Sequence, residues 1–283
     1  MVSLDENKSD NKSRIFAIVN QKGGVGKTTT TVNLATALAA VGKKVLVIDF
    51  DPQGNASTGL GISQNDRTIT SYELVLDEIN LDDAILKTAV PNLHVITATI
   101  DLSGAEIEMV SLNRREFRLK NALGNQHDYD YILVDCPPSL GLLTINALVA
   151  ANEVLIPLQC EFYALEGLSH LVRTIELVKT NLNADLGIQG IVLTMYDRRN
   201  KFTDHIEKDV RSYFGETVYK SVIPRNIRMS EAPSHGKPAL VYDMNCAGSK
   251  AYIQLASELL KREHIRKREL EKAQKEKLQT EVA

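Results

Sequence analysis

Between residues 15 and 40 the chain passes from a short apolar run, Ile15-Phe16-Ala17-Ile18-Val19-Asn20, through a glycine-rich stretch into a helical pattern over residues 29–40. The stretch reads Lys22-Gly23-Gly24-Val25-Gly26-Lys27-Thr28-Thr29. A strand, a tight turn and a helix in that order open a βαβ unit, and glycines at the junction let the backbone fold closely around a small anionic group. The rhythm continues downstream. Further short apolar runs at residues 44–50, 93–97, 131–135, 153–158, 188–194 and 217–223 are separated by longer helical patterns. Most are β-branched and continuous rather than alternating, as in parallel strands covered by helices on both faces. The predicted architecture is α/β, a doubly wound, mostly parallel sheet with helices on both faces.

A chain of 283 residues, 43% of them hydrophobic, can bury a substantial core. No internal repeat or low-complexity linker divides it, so a single domain is predicted over residues 14–260, with a polar leader over residues 1–13. Residues 261–283 read as a charged helical tail, a solvated extension without a broad apolar stripe. The formal net charge of −3 means that any nucleic-acid contact must come from a local basic patch. Three well-separated cysteines, Cys136, Cys160 and Cys246, argue against a disulfide framework or a CxxC metal site and fit a cytoplasmic protein. No residue run reads as a signal peptide or a membrane span.

The glycine loop carries its own chemistry. Gly23, Gly24 and Gly26 let backbone N–H groups, including that of Val25, point at phosphate oxygens, and the helix that follows adds positive potential. Lys27 is placed to contact β- and γ-phosphates, the Thr28 hydroxyl to ligate Mg²⁺, and Thr29 to support the α-phosphate. Two carboxylate groups complete the set. The run Val45–Ile48 delivers Asp49 and Asp51 to the carboxyl end of a strand, on the same side by alternation. Asp51 also suits a plain turn-capping role in Asp51-Pro52-Gln53-Gly54-Asn55, and the sequence does not separate the two. Tyr131-Ile132-Leu133-Val134-Asp135 is an apolar strand ending in a carboxylate, the pattern that holds Mg²⁺ through water downstream of such a loop.

The loop departs from G-x-x-x-x-G-K-[ST] at its first position, where Gln21 replaces glycine and Lys22 follows. In this it resembles the deviant Walker A motif of the ParA/MinD ATPases, whose first lysine reaches into the partner subunit's nucleotide. Later segments narrow the resemblance to ParA/Soj-type partition ATPases, over about residues 14–260. They are Val134-Asp135-Cys136-Pro137-Pro138-Ser139, Ile156-Pro157-Leu158-Gln159-Cys160-Glu161-Phe162-Tyr163-Ala164-Leu165-Glu166-Gly167, and the stretch from Ile223 through Arg228 and Ser230-Glu231-Ala232-Pro233 to Pro238.

The resemblance implies a P-loop ATPase using ATP and Mg²⁺, with Lys22, Lys27 and Asp51 catalytic and Asp51 positioning the attacking water. It puts Asp49 near the magnesium shell, and the segments holding Asp197, Pro224 and Arg225 around the adenine. It also implies an ATP-dependent homodimer, non-specific binding of double-stranded DNA through Arg199 and Arg228, and hydrolysis stimulated by a ParB-like centromere-binding protein. Such a protein is nucleoid-associated in a bacterial cytoplasm. On composition alone these arginines would be ordinary solvated ones. A MinD-like membrane cycle would need an amphipathic C-terminal anchor. Ile265, Leu270 and Leu278 are too sparse for that, and no stable membrane anchor is expected.

Overall fold

The structure is a computed structural model describing residues 13–124 and 128–281. The leader predicted over residues 1–13 lies outside the described residues except for Ser13, which is buried and donates its hydroxyl to Tyr129 O at 2.6 Å.

Among the described residues seven strands form one sheet: β1 (Arg14–Ile18), β2 (Val45–Asp49), β3 (Leu86–Lys87), β4 (Leu93–Ile96), β5 (Tyr131–Asp135), β6 (Glu153–Gln159) and β7 (Gly187–Thr194). Their order is β3-β4-β2-β5-β1-β6-β7, with every pairing parallel except β3 on β4. The connecting helices are α1 (Lys27–Ala40), α2 (Asn55–Gly59), α3 (Ser71–Leu76), α4 (Leu81–Ala84), α5 (Leu102–Glu108), α6 (Arg118–Leu123), α7 (Leu142–Ala150), α8 (Ala164–Asn181), α9 (Lys201–Phe214), α10 (Ile227–Glu231), α11 (Ala239–Tyr242) and α12 (Ala247–Glu281).

The continuous apolar strands are explained by two cores. Strand side chains alternate between faces, so Ala17, Leu46, Ile48, Ile132 and Val134 join one cluster while Phe16, Ile18, Val45, Val47 and Leu133 join the other. Helices α7 and α8 cover the first face, α8 through Leu168, Leu171, Ile175 and Val178 at helical spacing. Helices α1 and α12 cover the second, where Leu34 and Leu38 meet Tyr252, Leu255 and Leu259. Full burial of each such leucine contributes about 1.5–3 kcal/mol.

Two local departures from the sequence reading have physical causes. Residues 217–223 are expected as a strand, but a 3₁₀ turn (Gly215–Thr217) leads into an extended segment bridged, among the described residues, to β7 at Val218 and, just past β7, to Tyr196 at Pro224. The N–H groups of Tyr219 and Ile223 do donate to Ile191 O and Leu193 O. Between them, however, the N–H groups of Lys220 and Ser221 donate to the Glu258 carboxylate of α12 at 2.9 Å each, which interrupts the ladder. The short antiparallel β3 was not foreseen, since two residues carry no periodicity.

Helix α12 runs unbroken from the body into the predicted tail. Its basic and acidic side chains hold it to the sheet as far as Arg266: Glu263 accepts from Arg14, and Arg266 pairs with the buried Glu153. Arg262 lies over the Tyr219 ring with 4.0 Å from guanidinium to centroid. Among the described residues no helix is long and apolar enough to cross a membrane.

Candidate nucleotide site

The glycine loop leaves β1 at the centre of the sheet and is anchored on both sides. Asn20 donates from Nδ2 to Pro157 O of β6 at 2.7 Å and accepts from the Lys22 N–H at 3.0 Å. The Thr194 hydroxyl, at the end of β7, donates to Val25 O at 2.7 Å. Gly24 and Gly26 have φ of +72° and +88°, and Gly26 is the left-handed N-cap of α1. Backbone in that region costs a side-chain-bearing residue about 1–2 kcal/mol, which is why glycine stands at these turns.

The two lysines of the loop point in different directions. Lys27 is buried, with Nζ donating to Lys22 O at 3.1 Å. Burial pulls its pKa below the ordinary lysine value, opposed by Asp135, Cys136 and Asp51. Lys22 is exposed and forms an ion pair with Glu161, which follows β6. Gly23, with room around it, faces Pro138 at 3.9 Å from where a Cβ would stand.

Strand register brings the carboxylates together. Asp49 and Asp135 are paired neighbours on β2 and β5, and Asp135 is also level with Ile18 at the root of the loop. Both are fully buried. Burial, reinforced by the charge of Asp49, raises the Asp135 pKa to about 8, against the hydrogen bonds of Thr28 and Thr31. Thr31 donates to Asp135 Oδ1 at 2.9 Å, while Oδ2 has no hydrogen-bond partner among the described residues. A buried, unsatisfied carboxylate oxygen beside the Thr28 hydroxyl suits a hard divalent cation, so this donor set fits Mg²⁺.

Asp49 is differently engaged. Its Oδ2 accepts from Ser57 N at 2.7 Å and Ser57 Oγ at 2.6 Å, and burial raises its pKa to about 6. Asp51 is buried two residues on, its carboxylate accepting from Gln53 N at 3.0 Å. The turn-capping reading therefore holds, alongside whatever Asp51 does for a ligand. Ser57 and Thr31 carry no role in the sequence-based expectations, whereas Thr194, which closes the expected strand 188–194, holds the phosphate loop through Val25 O. Thr31 stands one helical turn after Lys27, a spacing that could have found it; Ser57 has no such signal.

The segments holding Asp197, Pro224 and Arg225 do meet, since Tyr196 and Pro224 form a parallel bridge and Arg225 N donates to Tyr196 O at 3.1 Å. Hydrogen bonds from the Arg199 side chain and backbone hold the Asp197 pKa down to about 2. A cavity of about 250 Å³ beside Thr28 and Thr29 has other walls: Val32, Met229, Pro233 and Pro238 line it. Asn33 ties this wall to α1, accepting from Ala239 N at 2.8 Å and donating to Thr29 O at 2.9 Å. Arg199 and Arg228 lie just before and just inside the starts of α9 and α10, helices capped by Asn200 and Asn226. The Arg199 side chain is 88% exposed, and Arg228 is half-exposed and paired with Glu231.

A central strand feeding a glycine loop, a lysine under that loop, and two strand-end carboxylates beside it define a P-loop nucleotide-binding protein. The family model described as an AAA domain matches residues 13–188. The chromosome partitioning protein ParA of Caulobacter vibrioides is 58% identical over 91% of this chain and 98% of its own. The sporulation initiation inhibitor protein Soj of Bacillus subtilis is 56% identical over 87% of this chain and 98% of its own. Among solved structures, the cobyrinic acid a,c-diamide synthase of Mycobacterium smegmatis with bound ATP analogue and magnesium superimposes with a TM-score of 0.78. It is 36% identical, over 88% of this chain and 94% of that one. The chain belongs to the ParA/Soj family of chromosome-partitioning ATPases.

Proposed function

We propose that the chain hydrolyses ATP as the timing step of a DNA-partition cycle: ATP·Mg²⁺ closes two copies into a sandwich dimer, the dimer holds double-stranded DNA non-specifically, and hydrolysis releases it. The observation that carries this reading is the divided orientation of Lys27 and Lys22, one turned into its own loop and the other out to the surface. An ordinary phosphate loop needs only the first. The second is exposed and held only by a surface ion pair with Glu161, which it can leave to serve a site on another subunit, where a cation offsets charge developing on the transferred phosphoryl group.

In this cycle the loop amides of residues 23–29 and the Lys27 ammonium bind the triphosphate. Thr28 and Asp135 hold the Mg²⁺, with Asp49 behind them bracing the Asp51 turn through Ser57. When bound, Mg²⁺ would supply charge neutralisation to the triphosphate. Asp51 orients the attacking water and draws its proton. The adenine rests against the Thr194–Asp197 and Pro224–Arg225 segments. The differential contact with γ-phosphate makes nucleotide state a switch.

Partition outweighs amide synthesis as the purpose because the partition relatives are 58% and 56% identical, against 36% for the synthase. A shared fold with the synthase does not decide purpose. The reading is tested by measuring phosphate release with ATP alone, with DNA, and with DNA plus a ParB-like partner. Slow basal turnover raised by the combination is expected. Turnover indifferent to both would defeat the partition cycle.

A further inference from the structure

Beside the Lys22–Glu161 ion pair lies a cluster of exposed aromatic rings. Phe162 and Tyr163, the two residues after Glu161, are 72% and 69% exposed. Their rings meet edge to face at 4.9 Å, and Phe162 also stacks on the half-exposed Phe202 of α9, with centroids 6.3 Å apart and planes 14° from parallel. Three adjoining aromatic rings left to solvent are costly in water and are typical of the anchors that carry most of the energy of a protein interface.

We propose that Phe162, Tyr163 and Phe202 form the apolar anchor of the ATP-dependent dimer, and that its occupant is the same surface of a second copy of this chain. The proposal rests on the sandwich-dimer reading given above and deepens it. The charge pattern selects the occupant. A twofold interface brings each patch against itself, so every residue must find its complement on the same patch. Lys22 and Glu161 are opposite charges side by side, with side chains 53% and 42% exposed. Under a twofold operator Lys22 can exchange its own Glu161 for the triphosphate bound by the partner subunit, and the reverse holds for the other copy. An exposed ion pair of this kind contributes little to stability, so the exchange costs little, and the aromatic rings supply the net attraction. The patch is also continuous with the phosphate loop through Lys22, which places it at the rim of the site that Lys22 is to complete in the other subunit.

The test uses the full chain with Mg²⁺ and a non-hydrolysable ATP analogue, with dimer formation followed by sedimentation velocity across a protein concentration series. Phe162→Ala combined with Phe202→Ala is expected to raise the dimer dissociation constant at least about tenfold. Thermal unfolding should be unchanged and monomer affinity for a fluorescent ADP should stay within about twofold, because Phe162 is 72% and Phe202 41% exposed and neither belongs to the buried core clusters. Tyr163→Ser alone should act in the same direction and more weakly. A wild-type chain that dimerises while the double variant dimerises equally well would overturn the aromatic anchor and leave the sandwich dimer standing. A wild-type chain that stays monomeric with the analogue would overturn both. A double variant with normal dimerisation but lost stimulation by a ParB-like protein would give the patch to that partner instead.

Discussion

Asp51 sits where two roles coincide. Its carboxylate holds the turn through Gln53 N, and its position after β2 sets it beside the buried Asp49. Positioned proton acceptors contribute about 10²–10⁴-fold to a reaction. Asp51→Ala is therefore expected to lower phosphate release at least about 10²-fold, while ATP-dependent DNA retention persists. Unchanged release in that variant would remove Asp51 from the chemistry, leaving a nucleotide-gated scaffold as the better description. Asp135 makes a prediction about pH in the nucleotide-free, metal-free protein. Its folded pKa, about 8, and that of Asp49, about 6, both exceed the ordinary aspartate value of 3.8. A raised carboxylate binds its proton more tightly folded than unfolded, so its stabilising contribution is complete below about pH 4 and is lost as pH rises through the folded pKa. Between pH 6 and pH 8.5 these groups should lower the melting temperature. Asp135→Asn, which mimics the neutral acid, should flatten that decline and be the more stable protein at pH 8.5, yet fail to hold ATP·Mg²⁺. Calorimetry across that range decides it, and an Asn variant less stable than wild type at pH 8.5 would contradict the burial argument.

At the scale of elements, the turn from β2 into α2 is tightly bound to its surroundings. Gly54 has φ of +62° and caps α2, and a Cβ there would stand 2.3 Å from Arg67 Nη1 and 2.7 Å from Ala98 O. The buried Arg67 donates to both Gly54 O and Ala98 O at 3.1 Å, so the collision is with groups that have partners to lose. Gly54→Ala combines left-handed strain of about 1–2 kcal/mol with this displacement, and denaturant unfolding should show a loss of at least about 2 kcal/mol. A loss under about 0.5 kcal/mol would mean that the turn relaxes freely. Sequence periodicity reached six of the seven strands to within one or two residues, because buried parallel strands are continuous apolar runs. It failed at residues 217–223, where the decisive partner, Glu258, is 37 positions further along the chain than Ser221 and belongs to another helix.

Across the whole molecule, function rests on surfaces that a net charge of −3 does not reveal. Arg228 is held by Glu231 at 2.8 Å and by Asp243 at 3.7 Å, so reversing its charge removes a cation without exposing core. Arg228→Glu is expected to weaken double-stranded DNA binding several-fold at low salt and to reduce the salt slope by about one, or more with the added repulsion. ATP affinity should not change. Undiminished retention on a filter would place the DNA surface elsewhere. Read alone, the sequence determined the strand, loop and helix that cradle phosphate, the α/β class, and the residues that bear charge, because these depend on neighbours a few positions apart. Only the tertiary structure decided that Asp135 lies beside Asp49 with one oxygen unsatisfied, that Ser57 and Thr31 brace those carboxylates, and that Lys22 turns outward toward Glu161 and a bare aromatic patch. Those relations join residues up to 139 positions apart through parallel strand register and burial, which no local pattern encodes.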